Sequence, residues 1–312
     1  MPTGRSSSVA FVYSHFGSVA FSQPLGSTSK NSMTTKNTFS LELSAPSNNK
    51  KSKTSPVPRV CDLTRCVEQI PFQAPPDIVN QFKGTQTVFA FDIETHDIIR
   101  ENASAWLCGH HGFPARVSQP TMKSLRVIQI GWAVGDIHSA APTTNSIYVT
   151  PDNFKVTAEG TAKHGVTQAF VEEHGLPLME ALNVFLASAR EAFTRGARLV
   201  AHQIEFDAGV IAAELQRCGL HEESEFWDRA VRGGICTMDP SLCNWIRDVS
   251  GDVDAKGRSC TGPLGLKDCV RFMVPDSAEL RRQHHTADKD AEMAWLLCKS
   301  IVAQCAQTSP CE

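Results

Sequence analysis

The stretch that most constrains this chain is Thr87–Thr95, TVFAFDIET. A short run rich in Val, Phe and Ile reads as a buried strand. Strand side chains alternate faces, so Asp92 and Glu94, two apart, point the same way. Two carboxylates at the end of a buried strand repel each other and resist desolvation. A divalent cation between them is the simplest remedy, and Mg²⁺ or Mn²⁺ favours carboxylate oxygen. Asp-x-Glu alone also describes an acidic strand end facing water, so the rest of the chain decides between the two.

Residues 61–85 read as a proline-containing lead-in with a short helix near 77–82, and 96–123 as a long insertion. A loop that leaves directly from the carboxylate pair is either a substrate-facing lid or a surface loop. A second strand is expected at 126–134, with Gln129 needing a partner if buried. A turn-rich link leads to a third strand at 146–150, and three such strands suggest an antiparallel meander. The stripe Leu178, Leu182, Phe185, Leu186 and Ala189 predicts a helix over 176–193, stopped by Gly196. A fourth strand at 198–201 runs into His202–Asp207 and a helix over 208–218, which places Asp207 at the turn between them. Residues 234–238 are expected as the fifth strand, Trp245 in the helix after it, and 264–272 as a short amphipathic helix. Asp290 stands at the start of a last helix over 291–304, with His285 in the loop or first turn before it.

Residues 1–60 carry seven Lys/Arg against one acid, Glu42, so this segment is +6 in a chain of net charge −3. Ser- and Thr-rich and without periodicity, it reads as a disordered basic tail or an organelle transit peptide. The remainder, at −9, argues against a protein that simply coats nucleic acid with positive charge. Eleven scattered cysteines with no CxxC pair read as reduced thiols in an intracellular protein, in nucleus, cytoplasm or an organelle. Cys108, His110 and His111 lack a fourth ligand at zinc-finger spacing. No apolar run approaches a membrane span.

Four acids stand out: Asp92, Glu94, Asp207 and Asp290. Taken singly each has an ordinary reading, as a solvated strand end, a helix N-cap or a first-turn acid answering the helix dipole. Taken together, FDIET (91–95), HQIEFD (202–207) and HTADKDA (285–291) resemble the three exonuclease motifs of the DEDDh, or DnaQ-like, 3′→5′ exonucleases. HGVT (164–167) is similar to that family's His-Gly-Ile-Thr loop, and LGLKDCVRF (264–272) to the helix before its third motif. The resemblance covers about 86–304, followed by a tail at 305–312.

The resemblance implies an RNase H-like α/β fold, a mixed five-stranded sheet flanked by helices. It implies that Asp92, Glu94, Asp207 and Asp290 hold two Mg²⁺ or Mn²⁺ ions and that His285 is the general base. The implied substrate is the 3′ end of DNA or RNA, single-stranded, released as nucleoside 5′-monophosphates. Backbone around Thr95, together with His96, Val166 and Phe206, is implied to line the nucleotide pocket. Two positions depart from the pattern: Gln203 stands where the family has Asn, and His96 where it has Thr or Gly. The competing expectations are a non-catalytic nucleic-acid-binding or scaffold module with the same fold, and a phosphohydrolase acting on nucleotides. For a polymer, Lys256, Arg258, Arg281, Arg282 and Lys289 are candidates for a basic approach path.

Overall fold

β1 (Thr87–Thr95) is the middle strand of a five-stranded mixed sheet with the order β3-β2-β1-β4-β5. The structure is a computed structural model that describes residues 73–99, 123–251 and 263–308. β2 (Val127–Asp136) lies antiparallel to β1, and β3 (Thr143–Tyr148) antiparallel to β2, which forms the expected meander. On the other side β4 (Arg198–Ala201) runs parallel to β1, and β5 (Ile235–Cys236) parallel to β4. Parallel neighbours require crossovers. The first passes through α2 (Ala158–His164), α3 (Gln168–His174) and α4 (Leu178–Thr194), the second through α5 (Ile204–Arg217) and α6 (His221–Arg232). α1 (Pro76–Phe82) precedes the sheet; α7 (Pro240–Ser250), α8 (Leu266–Met273), α9 (Ala278–Arg282) and α10 (Ala287–Thr308) follow it. This mixed sheet with flanking helices is the RNase H-like arrangement expected from the sequence.

The pleat of β1 divides the core in two. Phe89, Phe91 and Ile93 pack with α4, α5 and α6 on one face, where Phe91 meets Trp227 edge-on at 5.2 Å and Phe185 lies 5.5 Å from Trp227. Val88 and Ala90 face the other way, into a cluster built with α1, α7, α8 and α10. β2 presents Gln129, Gly131 and Ala133 on this second face, paired with Glu94, Asp92 and Ala90. Small residues there let α10 come close. A Cβ on Gly131 would stand 2.1 Å from the Ala287 carbonyl carbon, so only glycine fits beneath the start of α10. Gln129, fully buried, finds its partners at the same place: its carbonyl accepts from the Ala287 N–H at 3.3 Å and its amide donates to Ser146 Oγ at 2.8 Å.

Several boundaries differ from expectation. α5 begins at Ile204, so Asp207 lies inside its first turn and is neither the turn residue nor the N-cap; Gln203, at φ 76°, occupies the cap. β3 begins at Thr143 and ends at Tyr148, and α10 extends past 304 to Thr308, into the expected tail. α1 belongs to the core through Ile78 and Phe82 and is no mere lead-in. α6 has too narrow an apolar face to announce itself, burying only Trp227 and Ala230. α2 and α3 are short helices whose starts are set by caps: Thr157 Oγ1 accepts from Gly160 N–H at 3.0 Å, and Thr167 Oγ1 from Phe170 N–H at 3.2 Å. The tail at 1–60, most of the insertion, Cys108, His110, His111, Lys256 and Arg258 lie outside the described residues.

Candidate active site

Asp92 and Glu94 continue the Val88/Ala90 face of β1, so the pleat aims them at α10. Because β4 is parallel to β1, the β4–α5 turn emerges at the same sheet edge as the end of β1, and α5 delivers Asp207 there. α10 delivers Asp290 from its first turn. The four carboxylates and His285 line one cavity of about 360 Å³. One carboxylate oxygen from each of Asp92, Glu94 and Asp290 lies within 4.8 Å of the other two, and Asp207 lines the same space without joining that tight group.

Such crowding is electrostatically costly. Burial holds the Asp92 carboxyl well above the usual range, with repulsion from Asp207, Asp290 and Glu94 adding to it. Burial pushes Glu94 up to about 8, with Asp290 contributing and Lys163 opposing. Asp207 is raised well above its ordinary value by burial, then by Glu94 and Asp290, again opposed by Lys163. Glu94, Asp207 and Asp290 are each no more than 5% exposed. Buried acids that destabilise one another's charged forms fit a resident divalent cation, which would reverse the sign of the local field. The all-oxygen donor set suits a hard ion such as Mg²⁺ or Mn²⁺.

His285 sits in the turn before α10 at φ 74°, a left-handed conformation unusual for a residue with a side chain. Its backbone N–H faces the Asp290 carboxylate at 3.3 and 3.4 Å. Burial lowers the pKa of its imidazole below the ordinary value, and the adjacent His284 lowers it further. The two rings lie 3.7 Å apart at 31°. His284, to which the sequence reading gave no role, donates from Nδ1 to Asp290 Oδ1 at 2.8 Å and so holds the carboxylate in place.

The expected nucleotide-pocket residues divide into two pairs. Thr95 and Phe206 line the cavity. His96 turns away: its Nδ1 accepts from Arg126 N–H at 3.1 Å and its ring meets Phe154 edge-on at 5.1 Å. Val166 is buried with Ile128 and Val171 and reaches the site only indirectly, donating its N–H to His164 Nδ1 at 3.0 Å. Lys163 and Asp97 also line the cavity, as do His164, His202 and Leu266, which lie in the quoted motifs but carried no assigned role. His202 is pushed down to about 4 by burial; its Nε2 bonds the Leu264 carbonyl and its Nδ1 faces Thr237 Oγ1, both at 3.0 Å. His164 belongs to the HGVT marker, so a signal for it existed in the sequence. Lys163 gave none, because only the docking of α2 against the end of β1 brings it here. That docking is close: Thr157 N–H donates to the His96 carbonyl at 2.8 Å, and a Cβ on Gly160 would stand 2.8 Å from the same oxygen.

No protein-family model and no curated protein sequence matches the chain. Among solved structures it is similar to exonuclease I of E. coli bound to an oligonucleotide, at 14% identity and a TM-score of 0.49, over 72% of this chain and 42% of that one. It is similar also to exonuclease I of Methylocaldum szegediense, at 17% identity and a TM-score of 0.45, over 69% of this chain and 40% of that one. The chain thus spans about 40% of the length of these relatives. At such identities and scores the likeness is one of chain trace, and the functional reading rests on the side chains described above.

Proposed function

We propose that the protein is a metal-dependent 3′→5′ exonuclease of the DEDDh type, acting on single-stranded nucleic acid. The observation that carries this reading is one cavity in which Asp92, Glu94, Asp207 and Asp290 converge with His285 beside them. Asp92, Glu94, Asp207 and Asp290 would hold two Mg²⁺ or Mn²⁺ ions. When bound, such ions offset the charge of the scissile phosphodiester and favour loss of a proton from water. His285 accepts the proton of the attacking water. Its lowered pKa keeps the imidazole neutral near pH 7, the form able to accept. The new bond joins water oxygen to phosphorus, the bond from phosphorus to the 3′ oxygen breaks, and that oxygen takes a proton from solvent. His284 keeps Asp290 oriented by its 2.8 Å hydrogen bond. Thr95 and Phe206, both lining the cavity, would hold the terminal nucleoside.

The test uses single-stranded DNA and RNA labelled at the 5′ end, incubated with Mg²⁺, Mn²⁺ or EDTA. A ladder shortening from the 3′ end, lost in EDTA and with Asp92→Asn, is expected, and the faster substrate assigns the sugar. Internal cleavage, or a ladder unaffected by EDTA, would overturn the reading.

A further inference from the structure

The acidic cavity does not stand alone. A second depression of about 560 Å³ shares Lys163, His164, His284 and His285 with it and extends outward past Gly165, Thr286 and Lys289. The shared residues form a partition between the two spaces, built from the C-terminal end of α2 and the turn before α10. The outer groove differs in character from the inner one. Lys163, Arg282 and Lys289 stand along it against a single carboxylate, Asp288. Arg282 is tied to Glu279, and Lys289 to Glu292 at 3.1 Å, whereas Lys163 pairs with no carboxylate among the described residues. Lys163 is also exposed, so it is free to turn toward a ligand at either side of the partition.

A strand whose 3′ end enters the acidic cavity has only one way to continue, toward its 5′ side. We infer that the outer groove receives the phosphodiester linkage immediately 5′ of the scissile one, and that Lys163 in the shared partition is the residue that binds it. This rests on the exonuclease reading for the direction of the strand. The groove thereby gives the protein a preference for polynucleotides: a mononucleotide fills the inner cavity and leaves Lys163 without a phosphate.

The test is a two-by-two cycle read by fluorescence anisotropy. A 5′-fluorescein single-stranded oligonucleotide is compared with one carrying a neutral methylphosphonate at the second linkage from its 3′ end. Both are titrated with wild type and Lys163→Ala in Ca²⁺, which occupies oxygen sites without rapid turnover. One charge-assisted contact predicts that wild type prefers the natural strand about tenfold. Lys163→Ala should lose about that factor on the natural strand, change less than about twofold on the neutral one, and reduce the salt slope by about 1. Lys163→Arg should restore most of the natural-strand affinity, which a purely structural role would not predict. Equal weakening of both strands by Lys163→Ala, or no weakening of either, overturns the proposal. A wild type that binds with the expected cycle yet never shortens the natural strand in Mg²⁺ removes the exonuclease reading and leaves the groove standing. A wild type that binds neither strand removes both.

Discussion

Glu94 illustrates what the site demands of single residues. It sits 4% exposed opposite Gln129, and burial pushes its carboxyl up to about 8. In the metal-free protein this carboxyl costs nothing while both states are protonated, and stability is lost progressively as pH rises from the unfolded value to about 8, because the unfolded chain ionises there and the native one does not. Glu94→Gln removes the group that must ionise. The melting temperature of the variant, measured in EDTA, should therefore gain on wild type as pH rises through this window, by roughly 2–4 °C for each kcal/mol of repulsion relieved. A gap that stays constant between acid and mildly alkaline pH would refute this. His285 carries a second expectation. His285→Gln should lower kcat by roughly 10²–10⁴, the range of a positioned general base. Because its pKa is lowered, the acid limb of the wild-type kcat/KM profile should fall below the ordinary imidazole value rather than at it.

At the level of elements, the decisive contact is between β2 and the first turn of α10. Gly131 and Gln129 seat Ala287, and three residues on stands Asp290. Gly131→Ala would force the helix start outward, because the new Cβ meets backbone at 2.1 and 2.2 Å and no side chain can swing aside. Overpacking of this kind typically costs ~1–3 kcal/mol, and here it also displaces Asp290 from Asp92 and Glu94. Nuclease activity should fall by far more than thermal stability does. Gly135→Ala serves as the control on the same strand face: its Cβ meets Pro142 at 3.2 Å and the Trp295 side chain at 3.4 Å, away from the acids. It should retain activity, and equal loss in both variants would show that the β2–α10 spacing is not what positions the site.

For the whole molecule, the acidic cavity is a stored repulsion that, under the proposed function, a bound cation would relieve. Ligand binding to the native state alone stabilises it by about 2.7 kcal/mol at a hundredfold excess over Kd. Mn²⁺ or Mg²⁺ should therefore raise the melting temperature of wild type, and much less that of Asp92→Asn, whether or not a substrate is present. An equal rise in both proteins would place the ion elsewhere. The relief is local, since the two apolar clusters on either side of the sheet close without involving the carboxylates. Asp92→Asn should accordingly remain folded and serve as a fair control for binding.

Periodicity and composition determined a good deal of this. The nine residues of β1, the four of β4 and the helix α4 were legible because their apolar side chains are dense and keep a single period. Asp92, Glu94, Asp207, His285 and Asp290 were marked only by the resemblance of three motifs to a known family, and the fold brings them to one cavity. α6 was not legible, because its few apolar residues, Phe226, Trp227, Ala230 and Val231, stand in a helix crowded with charged side chains. Nor was the turning away of His96 and Val166, the grip of His284 on Asp290, or the arrival of Lys163 at the acids. These depend on distances between elements far apart in the chain, such as the close seat of α10 on Gly131 and of α2 on the His96 carbonyl. A one-dimensional pattern records which face a side chain occupies on its own element. Which foreign atoms that face meets is settled only when the elements pack.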